Sequence, residues 1–330
     1  MMSKDTFVTV GELADHLNCA VLGDRNKRLY GITLYHESTR DTLTYIPRNK
    51  IDIIKDIQAG AILTQASIGL PLHRNYIITR QDPYSHLASV ISFLEEKGLY
   101  GTHSTDAPHI SEGVQISSYV SIGSGTCIAS DTILSPGVVI GCNVKIGKHC
   151  FIGANTVIGD NVIIEDDVRI GSCCNVGFEN FEFYKSANGW IKTPAIGSVH
   201  IHHHAHICGN VVIEKGTIGT TQIGSYSQID NLVQIGHEAK IGAYSHIVAC
   251  VAIAGWAEIG EHVDVYGQVG IGNHVQVGNG AILMARAGVD KSVAPNTIVS
   301  GFPAQDHHTE LRFQAFLRRL FQKNTAKGRK

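Results

Sequence analysis

His237 and Gly255 stand 18 residues apart and carry complementary chemistry. An imidazole near neutral pH takes a proton from an attacking amine or hydroxyl. A glycine amide, bare of side chain, donates to the oxyanion formed when that nucleophile adds to an acyl carbonyl. Each is the second residue after an isoleucine, in Gln234-Ile235-Gly236-His237 and Ala252-Ile253-Ala254-Gly255. His274, third after Ile271, suits contact with another part of a substrate better than service as a second base. Asp230-Asn231, one hexad earlier, supplies polar groups that either support the histidine, donate to a substrate or hold a turn. Solvent-facing histidines recur along the chain (His149, His246, His262), so spacing alone leaves a structural role open for His237. The run His200-Ile201-His202-His203-His204-Ala205-His206 raises a metal question. Alternate strand residues point one way, which would set His202, His204 and His206 on one face. No matching ligands stand in other units, so solvated wall histidines and no metal are expected.

The element that positions these residues is a six-residue repeat. An aliphatic residue returns from Ile110 through Ile116, Ile122, Ile128 and Leu134 to Val176, restarts at Ile201, Ile207 and Ile213, and runs from Ile223 to Val289. A period of six suits neither an amphipathic helix nor a half-buried flat strand. It marks a left-handed parallel β-helix, in which each hexad forms one side of a triangular coil. Three hexads complete a coil, so residues 18 apart stack at about 5 Å, and His237 and Gly255 share a corner. Roughly nine coils make a prism about 40 Å tall. Gly often follows the aliphatic residue, as in Ile140-Gly141 and Ile241-Gly242, and is expected to supply the backbone angle of the corner. The hexads are interrupted twice. Residues 178–194, an aromatic-rich stretch too long for a corner, must leave the prism as a loop, and residues 214–222 conceal a four-residue slip.

Composition fits this plan and excludes others. Charged residues at 17% are few and 35 glycines are many, as a solenoid of tight coils requires. A formal charge of −2 lacks the basic surplus of a nucleic-acid binder. No apolar run is long enough to span a bilayer, the start carries no secretory h-region, and the eight cysteines form no CxxC pair, so a cytoplasmic protein with reduced thiols is expected. Residues 1–104 lack hexads and read as a small α/β domain, residues 105–302 as the prism, and residues 303–330 as a basic amphipathic helix. In that helix Phe313, Phe316, Leu317, Leu320 and Phe321 share one face and Arg312, Arg318, Arg319 and Lys323 lie on the other. It either caps the prism or packs on oligomer mates, and its basic face would steer in an acidic partner.

The order of the N-terminal domain, the hexads, Gly177-Phe178, the two motifs around His237 and Gly255, and Ser300-Gly301-Phe302-Pro303-Ala304 resembles the UDP-3-O-(3-hydroxyacyl)glucosamine N-acyltransferases of lipid A synthesis. The resemblance implies a homotrimer that moves a 3-hydroxyacyl chain from acyl carrier protein to the 2-amino group of a UDP-linked sugar, without a cofactor. It implies His237 as general base, Gly255 N–H as oxyanion donor and His274 near the nucleotide end of the UDP-linked sugar. Within Leu43-Thr44-Tyr45-Ile46-Pro47-Arg48-Asn49, Tyr45 falls on the family's aromatic uracil position and Asn49 stands beside it. The second aromatic usual near Ile51 is missing, and Trp256 follows the oxyanion glycine where a small residue is common. The alternative is a coenzyme A-dependent N-acyltransferase acting on another nucleotide-linked amino sugar.

Overall fold

The computed structural model describes residues 6–46, 48–65, 70–71, 73–101, 105–187, 189–301 and 307–327. From His109 the chain winds as a left-handed parallel β-helix. Among the described residues the three faces of the prism hold nine, ten and nine strands, most of them two residues long. The first face begins with His109–Ile110, the second with Gln115–Ile116 and the third with Ser121–Ile122. Outside the interruptions each strand pairs in parallel with the strand 18 residues on, as Ile235 does with Ile253 and Ile253 with Ile271. The hexad aliphatics from Ile128 to Val289 therefore point inward and form one continuous core.

A second inward column lies two residues before each aliphatic and is filled by small groups such as Val138, Val144, Cys150, Ala257 and Val263. Where it holds a hydroxyl, the group donates to a corner carbonyl in the next coil: Thr126 to Gly141 O at 2.8 Å and Thr132 to Gly147 O at 2.8 Å. Buried hydroxyls are thus satisfied without breaking the ladder.

The expectation for the glycines needs correction. The left-handed backbone of the corner falls on the third residue after the aliphatic, at Asn143 (φ 57°), Asn161 (φ 61°), Trp256 (φ 62°) and His274 (φ 59°). The glycine directly after the aliphatic supplies room instead: a Cβ on Gly141 would lie 2.8 Å from Asp160 N in the coil above. Small size, not conformational freedom, is what that position demands.

Residues 178–194 leave the prism as expected, but as an antiparallel hairpin of Phe183–Ser186 with Gly189–Lys192. Asn180 at its base is buried and donates to Thr217 Oγ1 at 2.7 Å, which ties the hairpin to the slip. The N-terminal domain has a four-stranded sheet in which Leu43–Ile46, Ala61–Thr64 and Tyr76–Ile78 run parallel and Ala20–Leu22 is antiparallel. Helix α1 (Val10–His16) begins with a Thr9/Glu12 capping box, and α2 (Leu87–Glu96) buries Leu87, Val90, Ile91 and Leu94 against the sheet. Ile196 and Ile218 of the prism pack on this same core, so the domain docks beside the slip. Helix α3 (His307–Lys327) does not cap the prism of its own chain: Phe313, Phe316, Leu317, Leu320 and Phe321 are all exposed.

Candidate active site

His237 sits at the corner that leads from the third face to the first, and the parallel register puts Gly255 directly above it. The contact is closer than spacing alone implies. A Cβ on Gly255 would lie 2.6 Å from His237 Nε2 and 2.8 Å from Cε1, so the imidazole lies across the glycine. The N–H of this corner position points out of the ladder. At some corners a side chain of the next coil accepts it, as Asp160 does from Cys142 and Asn279 from Glu261. Among the described residues nothing accepts from Gly255 N–H, which leaves that donor available beside the ring.

Two carboxylates hold the imidazole. Nδ1 donates to Glu238 Oε2 at 2.6 Å, and Nε2 lies 2.7 Å from Glu182 Oε2. Glu238 is 2% exposed, and its other oxygen accepts from the amides of Ile218 at 3.0 Å and Gly219 at 3.1 Å. The slip in the repeat is what presents those amides, so the irregularity anchors the group that orients the imidazole. Glu182 arrives on the approach to the hairpin. Glu214 completes the acidic rim: it accepts from the backbone of His237 and of Phe181, each at 3.3 Å. Burial by itself would favour neutral His237, but the two carboxylates override it and push the imidazole up to about 10. With Glu182 in place the ring is an imidazolium with both N–H groups engaged.

Tyr45 of the N-terminal domain reaches the same region. Its hydroxyl is pushed well above the usual phenol range, first by burial and then by the charges of Glu238 and Glu182. Tyr84 packs on it with ring centroids 6.2 Å apart. The side chain of Asn49 lies outside the described residues. His274 stands one coil above Gly255, donates its N–H to Gly255 O at 3.3 Å, and stacks on Trp256 at 5.9 Å. Asp230 and Asn231 occupy a different edge, between the second and third faces. Asp230 accepts from Asn231 and from Ala249 N, and Asn231 accepts from Gly209 N, so among the described residues both serve corner amides and neither contacts His237. The imidazole is held instead by Glu238 and Glu182, neither of which the sequence singled out. The signal for Glu238 was adjacency to His237; for Glu182 there was only the presence of an insertion.

The histidine run also divides differently from expectation. Strand geometry ends at Ile201, where the chain turns, so His202, His204 and His206 do not share a face. His200 and His202 instead converge on Glu165 of the preceding coil, His204 stacks on Tyr226, and His206 belongs to the second face.

Comparison with known proteins agrees with this architecture. The bacterial transferase hexapeptide (six repeats) model matches residues 143–177. A solved UDP-N-acetylglucosamine acyltransferase from Francisella novicida superposes with a TM-score of 0.50 at 27% identity, over 62% of this chain and 73% of that one. Fold and site thus define a hexapeptide-repeat acyltransferase prism. A UDP-3-O-acylglucosamine N-acyltransferase from Nitrosococcus oceani is 45% identical over 322 residues, 95% of this chain and 93% of the relative. The chain belongs to the UDP-3-O-acylglucosamine N-acyltransferase family. Other relatives match over less: the chain spans 39% of one from Rhodopseudomonas palustris at 33% identity, and 42% of one from Gloeobacter violaceus at 44%.

Proposed function

We propose that this chain transfers a 3-hydroxyacyl group from acyl carrier protein to the 2-amino group of UDP-3-O-acylglucosamine. The observation that carries the reading is the contact of the His237 imidazole with Gly255, a base and a spare amide donor at one corner. The amine nitrogen attacks the thioester carbonyl, and its proton passes to His237 Nε2. The carbonyl oxygen becomes an oxyanion facing Gly255 N–H. The C–S bond then breaks and the thiolate leaves with the proton from His237. Amine and imidazole must both be neutral at attack, so as the acceptor enters the hydrogen bond from Nε2 to Glu182 opens, and the extra protons of the ammonium and of the imidazolium pass to solvent before the attack.

The acidic rim of Glu182, Glu214 and Glu238 favours an acceptor that arrives as an ammonium, which supports an amine over a hydroxyl. Tyr45, close to that rim, supports placing the uridine of the acceptor against the N-terminal domain. The exposed aromatic face of α3 supports packing against further copies in a trimer, and Arg312, Arg318 and Arg319 support docking of an acidic carrier protein. The names of the relatives favour this acceptor, and no observation here favours the coenzyme A alternative.

The test is acyl transfer to UDP-3-O-acylglucosamine from 3-hydroxyacyl carrier proteins of several lengths. Wild type should turn over and His237→Ala should lose about 10²–10⁴-fold. Absence of turnover with every carrier-bound donor would overturn the assignment.

A further inference from the structure

We propose that Glu165, His200 and His202 form a binding site for a zinc-class divalent cation at the edge between the first and second faces, away from the corner that holds His237. Glu165 Oε1 lies 2.8 Å from His200 Nε2 and 3.0 Å from His202 Nδ1. One donor atom from each residue falls within 4.8 Å of the other two. A tetrahedral zinc with bonds of about 2.0–2.2 Å spaces its ligands about 3.3–3.5 Å apart, so the two contacts of Glu165 need to open by only about half an ångström.

The arrangement follows from the ladder. Ile164 pairs with Ile201 and Ile163 with His200, which sets Glu165 directly beneath His202. The rings of His200 and His202 stack with centroids 4.0 Å apart. The second oxygen of Glu165 accepts from His203 N–H at 3.0 Å, and His203 Nδ1 lies 3.2 Å from it. That outer bond fixes the carboxylate with Oε1 turned to the two imidazoles, as second-shell donors do for metal-bound carboxylates. All three residues are half-buried, so solvent can reach the remaining coordination positions. Two imidazoles and a carboxylate suit zinc and its neighbours in the first transition row, not magnesium or calcium, which prefer oxygen alone.

Glu165 precedes the hairpin insertion and His200 follows it. An ion here would staple the coil the chain leaves to the coil it re-enters.

The test uses the full chain without an affinity tag, stripped with a chelator. Zn²⁺ is titrated by calorimetry and Co²⁺ by visible absorption, with the melting temperature followed in parallel. One ion per chain, a tetrahedral cobalt spectrum and a melting temperature that rises with zinc are expected. Glu165→Gln should weaken binding by at least the roughly 10- to 100-fold seen for loss of an outer-shell partner. His200→Gln should do the same and serves if the first variant fails to fold. A His204→Asn/His206→Asn double variant should bind as wild type. Binding that survives loss of Glu165 but fails in that double variant would mean a loose histidine run and would overturn the site. So would the absence of binding at micromolar zinc.

Discussion

Replacing Gly255 with alanine adds one methyl where the imidazole of His237 crosses the next coil. That methyl would lie 2.6 Å from Nε2, 2.8 Å from Cε1 and 3.0 Å from Cδ2, while ordinary contact begins at 3.4 Å. The ring must retreat by the difference, about 0.8 Å, because the other party is backbone held in the ladder. A shift of that size stretches the 2.7 Å and 2.6 Å contacts to Glu182 and Glu238. The amide itself survives, so on the proposed mechanism the oxyanion donor is kept and only the imidazole is displaced. Misplacement by about 1 Å costs on the order of 10²-fold in rate, and kcat should fall by that much with KM little changed. Overpacking should cost roughly 1–3 kcal/mol of stability. The informative assay is the cycle with His237→Ala. Once the imidazole is gone the methyl has room, so the double variant should be no slower than His237→Ala alone. Two losses that multiply, or a Gly255→Ala enzyme of nearly wild-type rate, would refute the argument that these residues act as one unit.

Glu182 and Glu238 raise His237 together, so Glu182→Gln should lower its midpoint below the value of about 10, read by NMR titration of the imidazole proton. The sign for stability follows: this folded value exceeds the ordinary 6.5, so the contribution of the cluster is whole below about pH 6.5 and lost as pH rises through about 10. An unchanged midpoint in Glu182→Gln would show that Glu238 alone holds the proton. Glu238→Gln keeps an acceptor for the Ile218 and Gly219 amides and should fold normally, yet lose on the order of 10²-fold or more in kcat because the imidazole is no longer held by a charge. Glu238→Ala strands those buried amides as well and should lose a further 1–3 kcal/mol of stability, about the cost of an unmet buried donor; equal melting temperatures for the two variants would contradict this. At a corner remote from the site, Gly141→Ala should destabilise by about 1–3 kcal/mol in denaturant unfolding, whereas Asn143→Gly, at φ 57°, should stay within about 1 kcal/mol. The reverse order would restore the view that the first glycine serves the turn.

The period of six makes the architecture legible, and counting by 18 places His237 beneath Gly255. The chemistry around that pair was hidden for physical reasons. Glu238 is next to His237 in sequence, but only the left-handed backbone at φ 52° shows that its side chain turns back onto the ring and into the amides of the slip. Glu182 lies outside the repeat, where no register predicts its position. Glu165 and His200 are 35 residues apart because the insertion breaks the 18-residue count, so their meeting cannot be found by arithmetic. The glycines misled because both demands of a tight coil, room and a left-handed angle, favour the same residue type.

The slip between Val212–Glu214 and Thr220–Ile223 has one more implication. A perfect solenoid has no origin: any coil can be added or removed and every contact re-forms one step along. The slip ends that equivalence, since its amides hold Glu238, its Thr217 holds the hairpin, and its Gly219 lies against Leu34 of the N-terminal domain. It acts as an index mark on an otherwise uniform ruler. Adding or removing a coil below Glu165 or above His274 would change the length of the prism at either end and leave each of these contacts at its fixed address.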